Sequence, residues 1–374
     1  VFYDSATRQQ PSVSIVEKTM RLSLVSLSLK HFVSVAALVI VAAAGMEAMT
    51  PASAAEELKT VKVFFPPLNV GWTRGFELIE VARAQGYFKK YGLDAQLAAV
   101  PWAQFSVALD SGSVDFAPFA DYAYLVNARD KGLKAKVIVS SSLPFNPEAA
   151  GGQALVVRAD GPIRKAQDLK GKKIGTEYPS FSGAWYALDW LAKNGVAKDE
   201  VQIVPVPDPQ LQQVLDQGGV DAIIAYAPLY ISLERSGYRS LFSVADIAGR
   251  LIARGGTMAS DKFVSEHPDL VRAYVSAIAD AAEWANAHPG DVIKLGLDNG
   301  RLEQQYLPDL YTKNGSKDYS ALRWSKYALN DDTDVAFWLK LVEDAGIVPP
   351  GKYKPSDFYT NEFNPHVKES ATAK

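Results

Sequence analysis

Short runs of β-branched and apolar residues alternate along this chain with longer amphipathic stretches that end in glycine, and this alternation constrains the fold more than any other feature. A strand followed by a covering helix, repeated, builds an open α/β sheet with helices on its faces. The strand-like runs are 61–65, 95–100, 116–118, 136–140, 154–157, 173–175, 201–206 and 222–225. Between them, 75–85 places Phe76, Ile79 and Ala82 or Arg83 at three-to-four spacing and stops at Gly86, as a helix with a C′ glycine does. Asp121 precedes a helical stretch over 122–131 closed by Gly132. Asp208-Pro209 reads as an N-cap followed by proline in the first turn of a helix to Gln217. Further helices are expected over 185–194, after Tyr226-Ala227-Pro228, and over 270–287, 291–297 and 334–345.

Composition narrows the function. The 374 residues are 48% hydrophobic and 22% charged, enough for two core-forming domains. Lys and Arg number 39 against 42 Asp and Glu, so no basic surplus exists to neutralise a phosphate backbone, and nucleic acid is not an expected partner. The absence of cysteine removes disulfides, thiolate catalysis, zinc ribbons and iron–sulfur ligation together. The basic turn Leu169-Lys170-Gly171-Lys172-Lys173 lacks the Gly-x-x-x-x-Gly-Lys-Ser/Thr pattern of a phosphate-binding loop and reads as a solvated turn into a strand. His267 and His288 each precede proline, where a helix can begin, and read as caps or turns before ligands. No catalytic residue, metal ligand set or cofactor is expected.

Met20 opens a targeting pattern: Arg21, Lys30 and His31 give a positive start, Phe32 to Ala44 is apolar apart from Ser34, and Ala52-Ser53-Ala54 follows as a small-x-small cleavage site. The apolar run is too short for the 18 or more residues of a spanning helix, and the order of parts is that of a secretory signal peptide. Residues 1 to 19 carry no targeting logic, and translation is expected to start at Met20. Removing residues 1 to 55 would leave 319 residues in the periplasm.

Five stretches in order resemble the periplasmic solute-binding proteins of ABC importers in the nitrate, taurine, alkanesulfonate and thiamine-precursor group. They are Ala84-Gln85-Gly86-Tyr87-Phe88-Lys89-Lys90-Tyr91-Gly92-Leu93-Asp94, Leu109-Asp110-Ser111-Gly112-Ser113-Val114-Asp115-Phe116, Asp168 to Thr176, Gly218-Gly219-Val220-Asp221-Ala222 with Tyr226-Ala227-Pro228, and His267-Pro268-Asp269-Leu270-Val271-Arg272-Ala273-Tyr274. The resemblance implies an α/β, two-lobed periplasmic binding protein fold (type II) with its ligand cleft between the lobes. Gly151-Gly152 and the basic, glycine-rich stretch 250–256 would bound an inserted lobe of residues 151–250, the other lobe being 56–150 plus 251–374. It further implies a small-molecule ligand, a permease partner in the inner membrane and a monomeric chain.

In such a fold, ligands lie outside the carboxyl ends of strands, near helix N-termini. The first loops in such positions carry Asn69, Gly71 and Trp72, then Phe119, Asp121 and Tyr122. The other lobe offers Glu177, Tyr178, Ser180, Phe181, Ser182 and Gly183, and then Tyr226. In the family's oxyanion binders the loop equivalent to 180–183 contacts the sulfonate or nitrate, so the resemblance points to Ser180, Ser182 and Gly183. Either serine would serve equally as an N-cap. Two departures stand against a bare anion: Glu177 and Asp121 put carboxylates on these loops, and Ala227 stands where the family often has an acidic residue. The aromatics Trp72, Phe119, Tyr122, Tyr178, Phe181, Trp185, Tyr226 and Tyr230 crowd the same loops and could stack a ring or surround a cation.

Three readings follow. The first is capture of a sulfonate, taurine, nitrate or similar anion for import by lobe closure. The second is a binder of an aromatic, pyrimidine-like or amine-bearing solute. A periplasmic sensor or an enzyme of the same fold is the third class; the family's eukaryotic pyrimidine synthase needs cysteines that this chain lacks.

Overall fold

The computed structural model describes residues 57–65, 76–101, 104–145, 152–177, 179, 182–227, 229–244, 249–300, 319 and 322–371, all within the unit Ala55–Lys374. The expected signal peptide and the sites at Asn69, Gly71, Trp72, Tyr178, Ser180 and Phe181 lie outside the described residues. No described helix is long and apolar enough to cross a membrane.

Ten strands are described: β1 (Lys59–Phe65), β2 (Leu93–Ala99), β3 (Ala117–Asp121), β4 (Ala135–Val139), β5 (Gln153–Arg158), β6 (Lys173–Thr176), β7 (Gln202–Pro205), β8 (Ala222–Tyr226), β9 (Tyr238–Ser243) and β10 (Gly255–Ser260). Helices α1 (Glu77–Ala84), α2 (Tyr87–Lys90), α3 (Phe105–Asp110), α4 (Tyr122–Asp130), α5 (Ser182–Lys193), α6 (Leu211–Asp216), α7 (Leu229–Glu234), α8 (Asp261–Glu266), α9 (Pro268–Ala287), α10 (Pro289–Asp298) and α11 (Asp332–Asp344) separate or follow them. A parallel pair, β1 with β2, joins β3 through the Phe64 N–H, which donates to the Phe116 carbonyl at 2.8 Å. The second sheet has the order β3-β10-β4 and the third β7-β6-β8-β5-β9, the last drawn wholly from residues 153–243.

Helix α9 shows why these elements pack. Proline fills its first turn, where no N–H is needed, and Val271, Tyr274, Val275, Ile278, Ala281, Ala282 and Ala285 form one buried stripe at three-to-four spacing. The Tyr274 ring stacks on Phe116 with centroids 4.0 Å apart, and the helix packs against α1 and α2.

Strands β9 and β10 are not among the sequence-based expectations. In β10, Gly255, Gly256 and Ala259 leave little β-branched signal. The reason is steric: this strand lies between β3 and β4, and a Cβ on Gly255 would collide with the Ala120 carbonyl, one on Gly256 with that of Val139. The glycines are the condition for a central strand, which local sequence reads as a breaker. The expectation at Asp208 is also corrected. Asp208 and Pro209 lie inside a 3₁₀ turn (Asp208–Gln210) that follows Pro207, with no side-chain cap, and α6 begins only at Leu211.

Candidate functional site

Arg254 enters β10 from a segment pinned on both sides. Its carbonyl accepts from the Tyr122 N–H at 3.0 Å. The Ala253 carbonyl accepts the Trp338 indole N–H at 2.7 Å, and the Ala253 N–H donates to Asp334 Oδ2 at 2.8 Å. Arg250 Nη1 donates to the other oxygen of Asp334 at 2.6 Å. Helices α4 and α11 thus fix the backbone from which the Arg254 side chain projects.

That side chain is 8% exposed, and its guanidinium carbon lies 4.4 Å from the Phe119 ring centre and 5.4 Å from that of Phe145. Among the described residues its Nε–H has no hydrogen-bond partner, and no carboxylate lies within ion-pair distance of the guanidinium. Desolvating an unpaired charge costs several kcal/mol, and aromatic faces return only about 2 kcal/mol. A guanidinium held in this way is matched to an anion brought by another molecule. Its positive charge reaches the phenols of Tyr186 and Tyr226, where burial is the larger influence and pushes both hydroxyls above the usual tyrosine range.

Phe119 reaches Arg254 through a β-bulge. Gly256 pairs with Ala120 and Met258 with Ala117, so Pro118 and Phe119 together face Thr257. Proline, which has no N–H for the ladder, suits a bulge, and Phe119 takes a φ of 74°, a left-handed conformation costing roughly 1–3 kcal/mol at a non-glycine residue. The ring stacks on Phe76 with centroids 5.7 Å apart.

Across from this group stands the start of α5. Ser182 and Asp121 are fully buried; the Ser182 hydroxyl donates to Asp121 Oδ2 at 2.7 Å, and the Tyr124 N–H donates to Oδ1 at 2.5 Å. Asp121 therefore caps α4 and receives α5 with the same carboxylate. Gly183 lets α5 settle on the sheet: a Cβ there would lie 2.6 Å from Gln153 Oε1 and 3.0 Å from Ile224. Gln153, paired with Tyr226 across β5 and β8, is buried with neither amide atom hydrogen-bonded.

The far end of the same sheet edge is acidic. Thr176 ends β6 with Glu177 just beyond it, and Asp208 follows β7, with Val206 N–H donating to the Thr176 carbonyl at 2.9 Å. Thr176 Oγ1 and Asp208 Oδ1 are buried without hydrogen-bond partners among the described residues. Burial, reinforced by Glu177, pushes the Asp208 carboxyl up to about 7.

Of the residues singled out in the sequence, Phe119, Asp121, Ser182, Gly183 and Tyr226 meet around Arg254, and Glu177 lies on the acidic edge. Tyr122 points elsewhere: it is fully buried and its hydroxyl donates to Asn330 Oδ1 at 2.6 Å. Trp185 and Tyr230 are core residues. Sequence reasoning passed over Arg254, Gln153 and Phe145, and took Asp208 for a cap. The one available signal at Arg254 was a charge set inside Ile252-Ala253-Arg254-Gly255-Gly256-Thr257-Met258, an otherwise uncharged run. His267 and His288 occupy helix N-cap positions, and among the described residues no group of three or more acidic or histidine side chains could hold a metal.

A family model described as NMT1/THI5 like matches residues 76–292. A Brucella abortus protein described in terms no more specific than binding protein is 26% identical over 312 residues, covering 79% of this chain and 91% of its own length. The taurine-binding periplasmic protein of Escherichia coli is 26% identical over 226 residues, covering 56% and 69%. Among solved structures, the periplasmic sulfonate-binding protein SsuA from Methylobacillus flagellatus superposes with a TM-score of 0.62 at 19% identity, covering 85% of this chain and 96% of its own. The desulfurization enzyme DszB does so with a TM-score of 0.54 at 18% identity, covering 84% and 99%.

Proposed function

This chain belongs to the NMT1/THI5-like family and has the α/β periplasmic binding protein fold, and on that premise we propose that it is the substrate-binding component of an ABC importer, capturing a small anion such as a sulfonate, taurine or nitrate. The observation that carries this reading is the buried Arg254 guanidinium, framed by Phe119 and Phe145 and without a protein carboxylate among the described residues. Two lobes, 56–150 with 251–374 and 151–250, close on the solute. Arg254 and Phe119 come from the first, and Tyr226, Gln153 and the start of α5 from the second. The chain acts as a monomer in the periplasm, exported by a cleaved signal peptide, and hands its solute to an inner-membrane permease. The sulfonate- and taurine-binding relatives support the ligand class.

Thermal unfolding of Ala55 to Lys374 against sulfonates, taurine, nitrate, bicarbonate, aromatic acids, pyrimidines and amines tests this reading. A ligand at a hundred times its dissociation constant adds about 2.7 kcal/mol. A raised midpoint with one or more of the anions supports the reading; a response confined to uncharged or purely cationic solutes contradicts it.

The desulfurization enzyme among the structural neighbours favours a second reading, an enzyme acting on a similar anion. This chain has no cysteine, and its described histidines occupy helix N-cap positions or, like His366, stack on Tyr327. Capture without turnover is therefore the first reading. Mass spectrometry after prolonged incubation separates the two, since capture returns the ligand unchanged.

A further inference from the structure

Arg254 answers for one end of a ligand, while the acidic edge of the same sheet has no part in holding an anion. Among the described residues, two groups there lack hydrogen-bond partners although they are at least nine-tenths buried: Asp208 Oδ1 and Thr176 Oγ1. Asp208 does not cap its helical turn, so no local structural duty explains a carboxylate in this position. Glu177, one residue beyond Thr176, adds a second negative charge within electrostatic reach of Asp208. The Tyr226 hydroxyl, beside Gln153 in the sheet, lies within electrostatic reach of Arg254 and Asp121 at one end and of Asp208 and Glu177 at the other.

We propose that Asp208, with Glu177 and Thr176 near it, binds a protonated amine, so that the solute is a zwitterion whose anionic group meets Arg254 and whose ammonium meets Asp208. The proposal rests on the anion-capture reading and narrows its ligand class. An ammonium has three donors and no acceptor, which suits carboxylates and a hydroxyl. The half-buried Glu177 carboxylate and the buried Asp208 repel, and a cation between them relieves that repulsion. A solute bearing only an anion would leave Asp208 buried and unpartnered beneath it, and a site built to pair a polar group discriminates strongly against an analogue that lacks the match.

Calorimetric titration with two matched pairs tests this: taurine against ethanesulfonate, and 3-aminopropanesulfonate against propanesulfonate. In at least one pair the amine-bearing member is expected to bind about tenfold tighter or more, the scale of a charge-assisted hydrogen bond. Asp208→Asn should remove that advantage, bringing the two members of the pair to within about twofold of each other. Glu177→Gln, which keeps the shape of the side chain, should reduce the same advantage and serves as the readout if Asp208→Asn does not fold. Equal affinities within both pairs, or an equal loss for both members in the variants, would overturn the zwitterion while leaving anion capture in place. Failure of all four sulfonates to bind would remove the sulfonate reading itself, and this proposal with it.

Discussion

The Ser182 hydroxyl and the Asp121 carboxylate meet at 2.7 Å in the interior, joining the first residue of α5 to the N-cap of α4 across 61 positions of sequence. One carboxylate thereby satisfies a helix end and a hydroxyl from separate parts of the chain. Ser182→Ala would strip Asp121 Oδ2 of its buried donor, a loss of about 1–3 kcal/mol. The expected outcome is a thermal midpoint lowered by roughly 2–4 °C per kcal/mol, with unchanged far-ultraviolet circular dichroism. An unaltered midpoint would mean that the bond contributes nothing.

Gly255 tests the packing of the central strand. At a φ of 150°, with the Ala120 carbonyl where a Cβ would stand, alanine cannot be accommodated without separating β10 from β3. Gly255→Ala is expected to destabilise by more than about 3 kcal/mol, beyond the usual range for one substitution. Soluble yield and the unfolding midpoint measure it, and a near-native midpoint would contradict the register described.

Trp338 acts on the site at one remove. Its indole N–H donates to the Ala253 carbonyl, next to Arg254. Trp338→Phe keeps an aromatic ring but leaves that carbonyl buried and unpaired, costing about 1–3 kcal/mol. Because Arg254 hangs on the same peptide, sulfonate affinity should fall several-fold as well. Calorimetry on the folded variant would show the loss; full affinity would confine Trp338 to packing.

Asp208 makes stability depend on pH in an uncommon direction for a carboxyl. Burial and the nearby Glu177 raise it from 3.8 to about 7, so between those values the folded state binds the proton more tightly than the unfolded chain. The associated stability is present below about pH 4 and lost as pH rises through about 7. Asp208→Asn removes this dependence. Relative to the wild type, its midpoint should rise between pH 5 and pH 8; parallel pH profiles for the two proteins would contradict the burial of an ionisable group there.

Much of the α/β pattern was legible because it rests on local chemistry. The strand-like runs at 61–65, 173–175 and 222–225 lie inside β1, β6 and β8, and Gly86 ends α1 much as the helix-stop signal requires. What escaped depends on contacts between distant segments. Gly255 and Gly256 look like a break until β3 and β4 are placed on either side of them. Asp208 before a proline resembles a cap until its carboxylate is found without a backbone partner. Asp121 was visible as a cap, but its bond to Ser182 was not, since nothing local couples the two positions. Arg254 is the largest omission: its meaning comes from Phe119, Phe145 and Trp338, which approach it from 84 to 135 positions away in the sequence.

The most direct measurement is calorimetric titration of wild-type and Arg254→Met protein with the tightest-binding sulfonate of the panel, alongside their unfolding midpoints without ligand. If Arg254 receives the anion, affinity should fall by roughly 2–5 kcal/mol, about thirtyfold or more. The unliganded midpoint should hold or rise, because a buried charge without a carboxylate partner among the described residues has been replaced by an apolar side chain. Equal affinity in the two proteins would contradict the central claim and move the anion elsewhere.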